Sequence, residues 1–260
     1  MKREAAPYRG TEGQRMLTSD QLTAQIEPFD SFWQAPKDIE KGYSQFYKLY
    51  KHNFLRHLPQ NRQVAILVIS CGPGYFVNLL VNEGYTNVLG IDSDSAKIRY
   101  AAQKTLPCRV ERAFEFLQQN KNNRFDAIVC EQELNHLTKK EMLLFLGICR
   151  ESLKPGGTLL VYGLNGANPL TAGENLAHNI DHYNTFTEYS LEQILVHARF
   201  QEIRVLPFKL YVFYKNPLNY VAMAVDALFS TFFRFSYILY GKSVKILTKK
   251  IAAVCKKGLE

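Results

Sequence analysis

The stretch Val64-Ala65-Ile66-Leu67-Val68-Ile69-Ser70-Cys71-Gly72-Pro73-Gly74-Tyr75-Phe76 decides the fold. Its first half, Val64 to Ile69, is short, continuous and β-branched, as a strand buried on both faces of a parallel sheet must be. A turn with two glycines follows, and Tyr75 to Glu83 then reads as a helix. Glycines in such a turn let the backbone approach a ligand, and the helix N-terminus offers it free amide donors. A dinucleotide fingerprint would need its third glycine at Val77, where a large side chain argues against close dinucleotide packing. A second strand, Asn87 to Ile91, leads to Asp92, 18 residues after Gly74. A carboxylate there can accept both hydroxyls of a ribose, a charge-assisted contact worth about 1.5–3 kcal/mol. The competing role, capping the next helix, suits Ser93, Asp94 and Ser95 better.

Upstream, Ile39, Tyr43, Phe46, Tyr47, Leu49, Tyr50 and Phe54 recur at helical spacing between Asp38 and His57. Residues 1–35 read as a polar arm with Phe29, Phe32 and Trp33 as aromatic anchors. Downstream, strands and helices alternate. A helix covers Ser95 to Lys104, a strand Cys108 to Glu111, a helix includes Phe114 to Gln118, and a strand runs from Phe125 to Cys130. Thr138-Lys-Lys-Glu141 has the spacing of a capping box, opening a helix that ends before Lys154-Pro-Gly-Gly157. Thr158 to Tyr162 is a fifth strand, and Ser190-Leu-Glu-Gln193 a further cap whose helix ends near Arg199. Such alternation predicts a doubly wound α/β sheet, mostly parallel.

At 260 residues, 47% apolar and 22% charged, the chain has the size and balance of one large globular domain, which excludes disordered, collagen-like and coiled-coil classes. Five scattered cysteines form no Cys-x-x-Cys pair, so neither a disulfide framework nor a zinc site is expected, and a reducing compartment is. The first 14 residues contain no apolar signal core, in keeping with a cytoplasmic protein. The net charge of +8 is unevenly placed: residues 209–260 hold nine Lys/Arg against two acids, and the other 208 residues hold 23 against 22. Basic character is therefore a C-terminal property, open to phosphates, anionic lipids or nothing at all.

The ISCGPGYF turn, the LGIDSD strand end, and FDAIVCEQELNHL followed by a helix and LKPGG together resemble the class I S-adenosylmethionine-dependent methyltransferases across residues 60–203. The segment Asn179 to Thr187, with SLEQIL and ARF after it, is similar to the branch that methylates sugars of bacterial surface polysaccharides. The resemblance implies a Rossmann-like seven-stranded sheet in three parts. An arm and helix over the cofactor site would occupy 1–60 and the core 61–212. An inserted apolar helix, basic tail and antiparallel last strand (Lys245 to Lys256) would occupy 213–260. It further implies that Ser70, Cys71, Gly72 and Gly74 pass beneath S-adenosylmethionine, that Asp92 holds the ribose with Ser93 beside the adenine, and that Ala113 and Phe114 line the adenine. Cys130 and Glu131 would lie near the sulfonium. Tyr43 and Tyr47 would close over the cofactor or serve as core aromatics. Val68, Ser70 and Arg112 depart from the family pattern, which leaves a catalytically degenerate partner in a glycan-assembly complex as one alternative.

Methyl transfer to a hydroxyl needs an aligned nucleophile and a base. His136, in the loop after the fourth strand, and His182, in the insertion after the fifth, belong to the C-terminal edge of the sheet, with Glu133 close by in sequence. His136 also reads as a plain loop hydrogen-bonder. No spacing among the six histidines makes a metal site. The acceptor implied is a sugar hydroxyl of a surface glycan or its lipid-linked precursor; the alternative is a small aromatic or quinone-like molecule. Nucleic acid is disfavoured, because basic charge avoids the catalytic half. Pro217 to Tyr240 is long and apolar, but Asp226 and Arg234 near its middle argue against a membrane span. It reads either as a helix lying on an anionic membrane at the inner face or as a lid or homodimer helix.

Overall fold

The computed structural model describes residues 36–122, 124–131, 133–179 and 182–259; the expected arm and its anchors Phe29, Phe32 and Trp33 lie outside them. In chain order the elements are α1 (Pro36–Phe54), β1 (Ile66–Ile69), α2 (Tyr75–Asn82), β2 (Val88–Asp92), α3 (Ser95–Gln103), β3 (Cys108–Val110), α4 (Ala113–Gln119), β4 (Phe125–Glu131), α5 (Lys139–Ser152) and β5 (Leu153–Leu164). Then come α6 (Ala172–Ala177), α7 (Glu188–His197), β6 (Phe200–Phe208), α8 (Leu218–Leu239) and β7 (Lys250–Lys257). One seven-stranded sheet has the order β3-β2-β1-β4-β5-β7-β6. β1 to β5 pair in parallel, and β7 runs antiparallel between β5 and β6.

Two cores follow from strand alternation, since successive side chains leave a strand on opposite faces. Ile66 and Val68 join Tyr50, Phe54, Phe76 and Leu80 on the face covered by α1, α2 and α3. Leu67 and Ile69 join Phe114, Phe145, Leu191 and Leu195 on the face covered by α4, α5 and α7. The doubly wound expectation is met, with the last strand reversed as the resemblance implied. β7 begins at Lys250, later than expected, and β6 is a strand that pattern reading did not name.

Two local expectations are corrected. Lys154-Pro-Gly-Gly157 is a bulge inside β5: Phe125 pairs with Leu153 and Ala127 with Thr158, and Gly156 (φ 72°) absorbs the extra residues. The cap of α7 is Thr187, whose side chain accepts from the Ser190 amide, so Ser190 is the inner partner of that box. Thr138 and Glu141 do form the box expected at α5.

Candidate active site

The strand order reverses between β1 and β4, and open α/β sheets bind ligands outside the carboxyl ends of strands at such a point. After β1, Ser70, Gly72 and Gly74 alternate in the left-handed region (φ 55°, 53° and 85°), curling the turn tightly into α2. A Cβ at Gly72 would meet nothing within 4 Å, so this turn leaves open space above its backbone. A Cβ at Gly74 would stand 3.0 Å from Leu106 and 3.2 Å from the Cys108 sulfur, so glycine there lets α2 start close against the sheet.

Asp92 ties the turn to β2. One carboxylate oxygen accepts from the Gly72 amide at 2.8 Å, the other from the Asp94 amide at 2.9 Å. Asp94, not Asp92, caps α3, accepting from the Ala96 and Lys97 amides. An ionised carboxylate has about four lone-pair sites, so two remain for hydroxyl donors. Burial pushes the Asp92 carboxyl up from its ordinary value and outweighs the two backbone amides that pull it down. Ser93 stands half-buried in the same turn.

Glu131, the last residue of β4, anchors a cluster the sequence did not reveal. Tyr50 of α1 donates to it at 2.7 Å, Tyr162 of β5 donates to the same oxygen, and the two phenols lie 2.9 Å apart. The other oxygen, Oε1, is shielded from solvent and has no hydrogen-bond partner among the described residues. Burial pushes the carboxyl up to about 7, against the two phenol donors and the Lys250 ammonium that pull it down.

The remaining expected residues divide. Tyr43 donates to the Pro73 carbonyl at 2.7 Å and packs edge-on against Tyr75, so α1 clamps the glycine turn from above. Tyr47 does not reach that turn: its hydroxyl sits 2.5 Å from Glu83, beyond the C-terminal end of α2. Cys71 presents only its backbone, because its thiol is buried and bonded toward Gly72, while the Cys108 contact and burial push its pKa up. The Phe114 ring is committed to the core, 5.3 Å from Phe145, and Ala113 beside it is partly exposed at the start of α4. The Cys130 side chain is likewise in the core.

The two histidines, 46 residues apart, are brought together with ring centroids 5.0 Å apart. His182 Nδ1 lies 2.7 Å from the Asn175 carbonyl, which can only accept, so Nδ1 carries the proton and Nε2 keeps the lone pair of the neutral ring. Asn179 lies 3.3 Å from that Nε2. His136 is buried at the end of the 3₁₀ turn Glu133–His136; Glu133 opens that turn, and its side chain is not among the described features. Asn135, which sequence reading missed, pins the site: it accepts from the Leu164 amide, donates to the Asn184 carbonyl, and its own carbonyl accepts from the Tyr183 and Asn184 amides. Three of these bonds join the loop after β4 to the insertion that carries His182, and the fourth ties it to the end of β5. Among the described residues no group of three His, Cys, Asp or Glu could hold a metal.

Residues 66–157 match the family model described as "Methyltransferase domain", about a third of the chain. These residues therefore match a methyltransferase domain, and the sheet that contains them has the fold of solved SAM-dependent methyltransferases. A structure of a SAM-dependent methyltransferase from Archaeoglobus fulgidus superposes with a TM-score of 0.63 at 17% identity, covering 83% of this chain and 94% of that one. Haemonchus contortus phosphoethanolamine N-methyltransferase 2, solved with S-adenosyl-L-methionine, gives 0.55 at 16% identity, covering 87% of this chain and 59% of that one. In sequence, the chain is 32% identical over 111 residues to the rat mitochondrial ubiquinone biosynthesis O-methyltransferase, covering 39% of this chain and 31% of that protein. The chain thus spans about a third of the length of that relative.

The residues present fit the cofactor. The open turn at Gly72, the spare acceptor sites of Asp92 and the shielded Oε1 of Glu131, without a hydrogen-bond partner among the described residues, would provide, in that order, room, a ribose acceptor and a counter-charge for a cation.

Proposed function

We propose that the chain is an S-adenosylmethionine-dependent O-methyltransferase in which His182, with His136 beside it, takes the proton from an acceptor hydroxyl. The single observation that carries this reading is the paired rings at the sheet edge, with His182 Nε2 as the basic nitrogen. S-adenosylmethionine, when bound, supplies a methyl group on a positively charged sulfur. Gly72, Gly74, Asp92 and Ser93 hold it, and Glu131 faces its charge. As His182 Nε2 accepts the proton, the Nδ1–H bond to the Asn175 carbonyl holds the ring in its orientation. Asn135 keeps both histidine-bearing segments in register.

The acceptor we infer is a sugar hydroxyl of a surface glycan or its lipid-linked precursor, supported by the pattern of residues 179–187. A second reading, a phenolic or quinone-like acceptor, is favoured by the rat relative's name. Transfer of labelled methyl groups to each acceptor class separates them, and turnover on phenols alone selects the second. On whichever acceptor works, His182→Ala and His136→Ala should lower kcat by about 10²–10⁴ and leave cofactor affinity nearly unchanged, as loss of a general base does. Full turnover in both variants removes histidine from the mechanism. Cofactor binding without turnover on any acceptor would instead favour a degenerate partner.

A further inference from the structure

β6 ends and β7 begins on one edge of the sheet, with Phe208 paired to Lys250, and α8 lies in the connection between them. Its 22 residues are long and apolar enough to cross a membrane, and none of them is buried. The helix is inside out. The residues that bond to the rest of the protein are its polar ones: Asn219 donates to the Val212 carbonyl, Tyr237 to the Ala167 carbonyl at 3.1 Å, and Arg234 to the Lys245 carbonyl at 2.7 Å. Partial burial raises the Asp226 carboxyl, and nearby Lys209 acts against that rise. The opposite face holds Leu218, Val221, Leu228, Phe232, Phe235 and Leu239, each 59–71% exposed. At about 100° per residue, the exposed apolar positions cover an arc of about 200° with no charge in it. Exposed lysines stand at both ends instead: Lys209 and Lys215 before the helix, Lys242, Lys245 and Lys249 after it.

This distribution selects the occupant. A coiled-coil partner would take a narrow stripe flanked by charged positions, not an uncharged arc of this width. A bilayer span fails on topology. Its far end would lie across the membrane, and residues 240–249 would have to recross the hydrocarbon as non-helical backbone to pair Lys250 with Phe208, leaving polar groups unsatisfied. An interfacial helix has a wide apolar face and basic groups at head-group level. We propose that α8 lies in the surface of an anionic membrane, its apolar arc among acyl chains and its flanking lysines against lipid phosphates. Through Tyr237 and Ala167, three residues beyond the end of β5, this docking turns the ligand-binding edge of the sheet toward the lipid. The proposal stands apart from the choice of acceptor.

The test is flotation of the full chain with phosphatidylcholine vesicles, with and without phosphatidylglycerol, in low and high salt. The chain should float with the anionic vesicles at low salt and several-fold less in high salt, since exposed charges are screened over about 8 Å or less at and above physiological ionic strength. Phe232→Glu with Phe235→Glu should reduce flotation by about tenfold or more with melting temperature unchanged, because both side chains are already exposed. Lys242→Gln, Lys245→Gln and Lys249→Gln together should reduce binding to the anionic vesicles alone. If the wild-type chain stays in the soluble fraction in every mixture, the proposal is overturned. A dimer by light scattering that the phenylalanine variants dissociate, with no flotation, assigns the face to a second copy instead.

Discussion

Glu131 carries a carboxylate into a place where both of its phenol neighbours and the nearby Lys250 favour its charge, yet burial wins and its pKa rises to about 7. An unfolded glutamate titrates near 4.3, so between about pH 4.3 and 7 the native state binds more protons than the unfolded one. Stability from this group is therefore present at low pH and lost as pH rises through 7, by on the order of 3 kcal/mol when ionisation is complete. Glu131→Gln should flatten the dependence of melting temperature on pH between 5 and 8, which thermal scans would read. The same titration reaches binding. A cation favours the ionised form, so affinity for S-adenosylmethionine should rise from pH 6 to pH 8 in the wild type and stay level in Glu131→Gln. Calorimetry at the two pH values checks this, and a level wild-type affinity would mean that Glu131 does not face the cofactor's charge.

The element that sets the site's geometry is β2, through Gly90. A Cβ there would come within 2.8 Å of the Cys108 sulfur, 2.8 Å of Val77 and 2.9 Å of the Cys71 sulfur, all side chains in or against the core. None of the three is the free end of a long flexible chain, so Gly90→Ala must push β2 away from α2 and β3. Overpacking of this kind costs about 1–3 kcal/mol. Because Asp92 lies two residues further on and bonds the Gly72 amide, the displacement should also weaken cofactor binding. A melting temperature several degrees lower together with reduced affinity is the expected pair of results. Unchanged affinity would show that Asp92 is positioned by the glycine turn and not by its strand.

At the scale of the whole molecule, the sheet and its two cores do not depend on α8. Residues that enter the core before and after it, Val212, Ile246 and Leu247, lie outside the helix. Replacing residues 216–243 by a short Gly/Ser linker should leave the melting temperature within a few degrees of wild type and cofactor affinity intact, while vesicle flotation is lost. A large drop in melting temperature would mean that the exposed face is covered in solution by protein.

What the sequence by itself determined is local. The β-branched run 64–69, the glycines of the turn and Asp92 at a strand end are each legible because strand burial, positive φ and a carboxylate at a sheet edge leave signatures within a few residues. The Thr138–Glu141 box is legible for the same reason, whereas Ser190 reads as a cap only because Thr187, three residues earlier, offers the same chemistry. Tertiary structure alone decided which distant groups meet. Tyr50 and Tyr162 reach Glu131 from 81 and 31 residues away, and helical or strand spacing shows that they face inward but not toward what. Tyr47 shares a helical face with Tyr43, yet one turn further along α1 it reaches Glu83 past the end of α2 while Tyr43 reaches Pro73 in the glycine turn. For α8 the composition was plain in the sequence, but apolar content is the same whichever way a helix is turned. Only the polar bonds of Asn219, Arg234 and Tyr237 to the rest of the chain fix which face is left outward.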